Sequence, residues 1–228
     1  VSNPICIIPA RMGSKRLPRK NVIMCDGKPL IYYTIKAAKD SGVFDEIIVT
    51  SDDPIALSVA DEMDVYNYDR GSKFVGDKDT VVDVVWLLTE FYSIRMATFS
   101  VLLPTCPLRT AGDIRKAYKI FKSAECDFVM SVTEYYYHPY QALSVEESGS
   151  LEKEFPVKIR EQSQEWRTLY HHNGAVIFGY ADSLKQCKDF YGGRVVPYFM
   201  PRERSVDIDT LADLEYAEYL LKKRRGVL

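Results

Sequence analysis

The chain has 228 residues, 46% of them hydrophobic, and a formal net charge of −2: enough length for one domain with a sizeable core, without the basic excess of a general nucleic-acid binder. No apolar run approaches the roughly 20 residues that would span a membrane. Cys6, Cys25, Cys106, Cys126 and Cys187 are widely spaced, with no C-x-x-C or paired Cys/His pattern, which argues against zinc and reads as the reduced inventory of a cytoplasmic protein.

The elements alternate along the chain. Ile5–Pro9 reads as a buried strand and runs into a loop, Arg11–Asn21. Leu30–Lys39 follows as a helix, with Leu30, Ile31, Thr34, Ile35 and Ala38 on one face. Next come a strand at Glu46–Thr50 and a helix from Pro54 to Met63, where proline suits the first turn after Asp52 or Asp53 as cap. A helix near Val81–Tyr92, a strand Thr98–Leu103, a helix Ala111–Lys122 and a strand Phe128–Val132 continue the rhythm. It breaks over Tyr135–Arg167, an aromatic and then acidic stretch read as an excursion of short strands. The pattern resumes with a strand at Ala175–Phe178 and a helix at Leu211–Lys223. This βαβα order predicts a Rossmann-like, mostly parallel sheet with helices on both faces. In such folds ligands bind at the carboxyl ends of the strands.

The loop after the first strand carries the chemistry. It holds five cations in eleven residues (Arg11, Lys15, Arg16, Arg19, Lys20) and no acid. Gly13 lets backbone amides approach a ligand and Ser14 adds a hydroxyl donor. Strand, small-residue turn and cation cluster suit a polyphosphate, whose oxygens take N–H donors and whose charge takes lysine and arginine. The Walker spacing is absent, because no glycine lies five positions before Gly13, and so is G-x-G-x-x-G. A nucleoside triphosphate bound by a different type of loop is the expectation.

The string Ile8-Pro9-Ala10-Arg11-Met12-Gly13-Ser14-Lys15-Arg16-Leu17-Pro18-Arg19-Lys20-Asn21 resembles the signature of the sugar-acid cytidylyltransferases, most closely the acylneuraminate (CMP-sialic acid) synthetase group. Gly27–Leu30, Phe44–Asp53, Pro104–Arg109, Asn173–Ile177 and Ser205–Thr210 resemble further motifs of that family, in order over nearly the whole chain. The resemblance implies one domain over residues 1–228 of the nucleotide-diphospho-sugar transferase type, with residues 135–170 as a small excursion serving acceptor binding and a homodimer contact. It also implies attack by the anomeric hydroxyl of a sialic-type sugar acid on the α-phosphorus of CTP, with pyrophosphate leaving. Nucleotide contacts fall on Ala10, Arg11, Gly13, Ser14, Lys15, Lys20, Asn21, Thr80 and Arg109, with Arg11 and Lys20 catalytic. Acceptor contacts fall on Leu103, Thr105, His138, Arg160, His171 and Asn173. Asp207 and Asp209 are the expected catalytic metal ligands: in a strand-like Val206-Asp207-Ile208-Asp209 both carboxylates project to one face, and two hard oxygen donors suit Mg²⁺.

Two departures bear on the acceptor. Leu103 stands where the family commonly has glutamine, and His171 where it tends to place arginine. A carboxylate on the acceptor then takes its cation from Arg160, Arg167, Lys158 or a charged histidine. N-acetylneuraminate, legionaminic, pseudaminic, deaminated and eight-carbon acids all stay open. Thr80 is read equally as a nucleotide contact and as a helix cap. A related nucleotidyltransferase with another base or acceptor, and a non-catalytic nucleotide-binding homologue, are the competing readings.

Overall fold

The computed structural model describes residues 3–76, 78–91 and 97–227. In chain order the strands and helices are β1 Ile5–Ala10, β2 Met24–Cys25, β3 Lys28–Pro29, α1 Leu30–Ser41, β4 Glu46–Ser51, α2 Pro54–Glu62, β5 Tyr66–Asp69, α3 Val81–Phe91, β6 Thr98–Val101, α4 Ala111–Ser123, β7 Phe128–Glu134, β8 Leu143–Val145, β9 Leu151–Lys153, β10 Tyr170–Tyr180, α5 Ala181–Cys187, β11 Val195–Phe199 and α6 Leu211–Arg224. Local chemistry sets the helix ends. Asp53 accepts from the Ile55 amide with Pro54 in the first turn of α2, and α1 stops at Gly42, whose φ of 63° a side chain would resist. α4 and α6 each begin with a reciprocal capping box, Thr110/Asp113 and Thr210/Asp213.

Seven strands form one sheet in the order β11-β7-β10-β6-β1-β4-β5. Strands β5, β4, β1 and β6 are mutually parallel, with Ile8 opposite Val49 and Ile7 opposite Val101. β10 runs antiparallel between β6 and β7, and β11 pairs parallel with β7 at the edge. The sheet is therefore mixed but mostly parallel, and both faces are covered. Residues of α1, α2 and α4 pack with Cys6, Ile8, Val49 and Phe178 on one side, while α3 and α5 pack with Ile7, Ile48, Phe99 and Phe128 on the other. That double cover explains the continuous apolar runs of β1 and β6. A third cluster, Leu17, Cys25, Leu30, Leu108, Ile208 and Leu214 among it, sits where the β1 loop, α1 and α6 converge.

The structure adds elements that periodicity does not reveal. β5 is a polar, largely exposed edge strand, and β11 contains Pro197, which an edge position tolerates. β10 is longer than the four apolar residues expected, because it bends at an irregularity between His172 and Ile177. Gly174 there has φ 71°, and a Cβ on it would lie 3.0 Å from Leu103 Cδ1. Tyr92, the last residue of one expected helix, lies outside the described residues. Residues 135–169 leave the main sheet for the short β8–β9 hairpin and several single-turn helices.

Candidate active site

A cavity of about 380 Å³ opens at the carboxyl ends of β1 and β6, lined among others by Arg11, Lys20, Arg70, Leu103, Thr105 and Asp207. A larger groove of about 640 Å³ lies between α4 and α6. It contains none of the β1-loop residues, so chemistry rather than size identifies the site.

The loop after β1 is folded by its own side chains. Asn21 Nδ2 donates to the Arg11 carbonyl at 2.9 Å, closing the loop across its base. Leu17 is buried in the third cluster and pins the middle. The carboxylates after β4 hold the rim: Asp52 accepts from the Met12 amide at 2.8 Å, and Asp53 takes the Arg19 guanidinium at 2.5 and 3.2 Å. Arg19 itself has φ 51°, a left-handed conformation that this ion pair helps to hold. Ala10 is fully buried in β1, its carbonyl accepting from Ser51, so it supports the loop from beneath. Gly13 has an ordinary φ, and a Cβ there would meet only Val75 O at 3.9 Å. Its place in an exposed loop, not steric need, is what the structure records. Ser14 and Lys15 lie on the same loop. Arg11 reaches across the cavity to donate to Gly76 O at 2.7 Å.

The second wall comes from the segment 205–210, of which Asp207 lines the cavity and Asp209 does not. The segment forms no sheet ladder, a correction to the strand expected there. The Ile208 amide donates to Thr105 O at 2.9 Å, and Ile208 and Val206 pack inward on the third cluster. The alternation holds, so both aspartates face out. Lys20 Nζ sits 2.8 Å from Asp209 Oδ1, and Arg16 2.8 Å from Oδ2. Asp207 presents much of its surface to solvent, yet its carboxylate lies within the concave wall. Desolvation there pushes its pKa up, against the lowering effects of the Thr105 hydroxyl bond and of Lys20, while Asp209 and Asp213 add to the rise. No cluster of three or more His, Cys, Asp or Glu suited to a metal occurs among the described residues. Two carboxylates at and beside a cation-lined cavity do fit Mg²⁺, which takes one or two carboxylates and completes its shell with phosphate oxygens and water.

Arg70 was not foreseen from the sequence. It follows β5, lines the cavity and is only 4% exposed, and its Nε and NH1 have no hydrogen-bond partner among the described residues. Burial lowers its pKa, the nearby Arg11 charge acts in the same direction, and Asp52 and Asp79 oppose them. Two orphaned guanidinium donors in a buried position are expensive, and the charge of an anion in the cavity would offset part of that cost. A cation at the end of a weak edge strand carries no periodic signal.

Several expected site residues lie elsewhere. Arg109 is 3% exposed, does not line the cavity, and donates to Leu103 O, Ala175 O and Thr34 Oγ1 at 3.2, 2.7 and 2.6 Å. It ties α1, β10 and the end of β6 together beneath the site. Asn173 is buried, bonded to Ser131 Oγ and Ser205 Oγ at 2.6 and 2.8 Å. His138 accepts from the Tyr140 amide through Nδ1, so Nε2 donates to Arg167 O at 3.1 Å. His171 packs at a tilt against the Tyr135 ring and Arg160 is exposed on a short turn; neither lines the cavity. His172 is held neutral, its pKa pushed down to about 4 by burial and then by His171, so it is not a cation for an acceptor carboxylate. Thr80 does line the cavity and also caps α3 through Asp83, at 2.7 Å from its hydroxyl.

A mostly parallel sheet with a cation loop, a buried arginine and paired carboxylates at its carboxyl ends defines a nucleotidyltransferase of the α/β type. The chain belongs to the cytidylyltransferase family, whose sequence profile matches residues 5–228. It is 33% identical over 227 residues to the pseudaminic acid cytidylyltransferase of Campylobacter jejuni, covering 96% of each chain. It is 32% identical over 234 residues to the CMP-N,N'-diacetyllegionaminic acid synthase of Legionella pneumophila, covering 98% of each. With the N-acylneuraminate cytidylyltransferase of Streptococcus agalactiae it shares 32% identity over 212 residues, 92% of this chain and 51% of that protein. Its fold is similar to that of CMP:2-keto-3-deoxy-manno-octonic acid synthetase complexed with CTP, at TM-score 0.74 and 17% identity over 98% of this chain and 100% of that one.

Proposed function

We propose that the protein transfers CMP from CTP to the anomeric hydroxyl of a nonulosonic acid and releases pyrophosphate, with Mg²⁺ as cofactor. The observation that carries this reading is the convergence of Arg11, Lys20, Arg70 and Asp207 on one cavity. The acceptor oxygen forms a bond to the α-phosphorus, the bond from that phosphorus to the bridging oxygen of the β-phosphate breaks, and the hydroxyl proton leaves to a base at the carboxylate wall. Arg11, Lys20 and Arg70 offset the charge that builds on the departing pyrophosphate. Lys15, Ser14, Gly13 and Thr80 complete the nucleotide side. Asp207 and Asp209 would hold the metal, which when bound polarises phosphoryl and acceptor oxygens. Thr105 lines the cavity beside Asp207, where its hydroxyl favours the ionised carboxylate.

The acceptor reading rests on Leu103 in the cavity wall. An apolar side chain leaves a tail hydroxyl unpaired but accepts a methyl group, so an acid with a deoxygenated tail, of the pseudaminic or legionaminic kind, is favoured over one with a glycerol tail. The exposed Tyr136, Tyr137, Val145, Leu151 and Val157 of the 135–170 excursion suit a contact with a second copy, which sedimentation at graded concentrations tests. Five free thiols suit a reducing, cytoplasmic setting; no helix among the described residues is long and apolar enough to cross a membrane.

The test is pyrophosphate release with Mg²⁺, each nucleoside triphosphate in turn and a panel of sugar acids. Release with CTP and a deoxygenated-tail acid is the expected result. Release with another nucleotide, or tight CTP binding without turnover on any acid, would favour the competing readings.

A further inference from the structure

We propose that Asp113 and Arg204, which lie outside the cavity, are positioning residues that set the Asp207–Asp209 carboxylate pair in place; the proposal rests on reading that pair as the metal ligands. Asp113 is the third residue of α4 and 1% exposed. Its carboxylate takes the Thr110 amide and hydroxyl at 2.9 and 2.7 Å, the Tyr198 hydroxyl at 2.8 Å, and the Arg204 guanidinium through two bonds of 3.1 and 2.9 Å. Capping α4 requires only the first two. The matching box at α6 has the same Thr-x-x-Asp pattern, and there Asp213 accepts from Thr210 and the Asp209 amide. Asp113 therefore makes three hydrogen bonds beyond those a cap needs, and two of them hold Arg204.

What Arg204 anchors gives those bonds a purpose. It closes a single helical turn, Arg202–Arg204, and the next residue is Ser205. Ser205 donates to Pro201 O at 2.9 Å and accepts from Asn173 at 2.8 Å. The segment then runs without a sheet partner to Asp209, held midway by the Ile208 amide. A stretch without ladder bonds keeps its side chains placed only as well as its ends are fixed. The α6 capping box fixes the far end through the Asp209 amide, and the Asp113–Arg204 pair fixes the near end. Planar, two-bond pairing holds orientation as well as distance.

Partners bonded directly to metal ligands alter metal affinity by about 10- to 100-fold when removed, and Arg204, which acts through the backbone of the segment, is placed at the low end of that range. The test compares Arg204→Gln with Thr110→Val, which disturbs the same carboxylate and the α4 cap but leaves the guanidinium bonds intact. For Arg204→Gln the half-saturating Mg²⁺ in turnover is expected to rise about tenfold. Mn²⁺ binding, counted by the loss of free-Mn²⁺ spin resonance with CTP present, should weaken in parallel, while CTP binding without metal stays as in the unmodified protein. Thr110→Val should lower thermal stability without moving the metal dependence. Arg204→Lys, which keeps the charge but not the fork, should fall between, and it replaces the glutamine variant if that one does not fold. The proposal is overturned if the Arg204 variants lose stability as Thr110→Val does and keep the normal metal dependence. Separately, an Asp209→Ala protein with unchanged metal dependence would defeat the metal reading itself, whatever Arg204 does.

Discussion

Arg70→Met separates a ligand-binding role from a structural one by changing stability and binding in opposite directions. In the free protein the guanidinium is buried with Nε and NH1 unpaired. A buried donor left without a partner costs about 1–3 kcal/mol, and more when charged. Attraction to Asp52 and Asp79 recovers part of that and the Arg11 charge adds to it. Methionine keeps the unbranched stem and removes the unpaired donors. A net gain of about 1 kcal/mol is expected, which for a chain of this size raises the melting temperature by about 2–4 °C. With CTP the sign reverses. Hydrogen bonds to a charged ligand contribute about 1.5–3 kcal/mol, so the variant should bind CTP roughly 10- to 150-fold more weakly. Differential scanning fluorimetry with and without CTP, and titration calorimetry for the affinity, read both effects. A variant that melts several degrees lower and binds CTP normally would refute the argument and make Arg70 a structural residue.

Asp209→Ala should reduce metal-dependent pyrophosphate release by about 100-fold or more, as loss of several kcal/mol of charge stabilisation implies; circular dichroism would check that the fold is kept. Arg109→Met should behave as a core lesion. It takes the Arg109 donors from the Ala175 carbonyl and the Thr34 hydroxyl, so a loss of about 1–3 kcal/mol in denaturant unfolding is expected, with CTP affinity per folded molecule unchanged by calorimetry. His172, held down to about 4 by burial and by His171, adds an acid-sensitive component. Its folded value lies below the ordinary one, so its contribution is complete above about pH 6.5 and is lost as pH falls towards 4, up to about 3 kcal/mol. The His172→Gln protein should lose less stability across that window when unfolding is followed as a function of pH.

The alternation of strands and helices, the capped start of α2 and the cation loop were all legible because each depends on neighbours in the chain. Apolar runs mark strands buried on both faces, Pro54 marks a helix start, and Arg11–Asn21 concentrates charge in a few residues. β5 and β11 were not legible: edge strands need neither an apolar run nor a free amide at every position, and Pro197 hides one of them. The antiparallel direction of β10 was equally hidden, since hydrophobicity carries no sign of direction. At the site, the outward pairing of Asp207 and Asp209 followed from alternation, yet the support for it is one Thr105 carbonyl and an anchored turn rather than a strand. Arg109 and Asn173 belong to family-like motifs but are buried on backbone and side-chain partners that arrive from distant elements. Arg70 shows the converse, an ordinary residue in the sequence that the fold buries beside the cavity with its donors unspent. Local order is written in spacing and propensity, because those energies act over a turn or a strand. Which polar groups end up satisfied, and which are left facing a ligand, depends on contacts between segments far apart in the chain, and only the packed structure decides that.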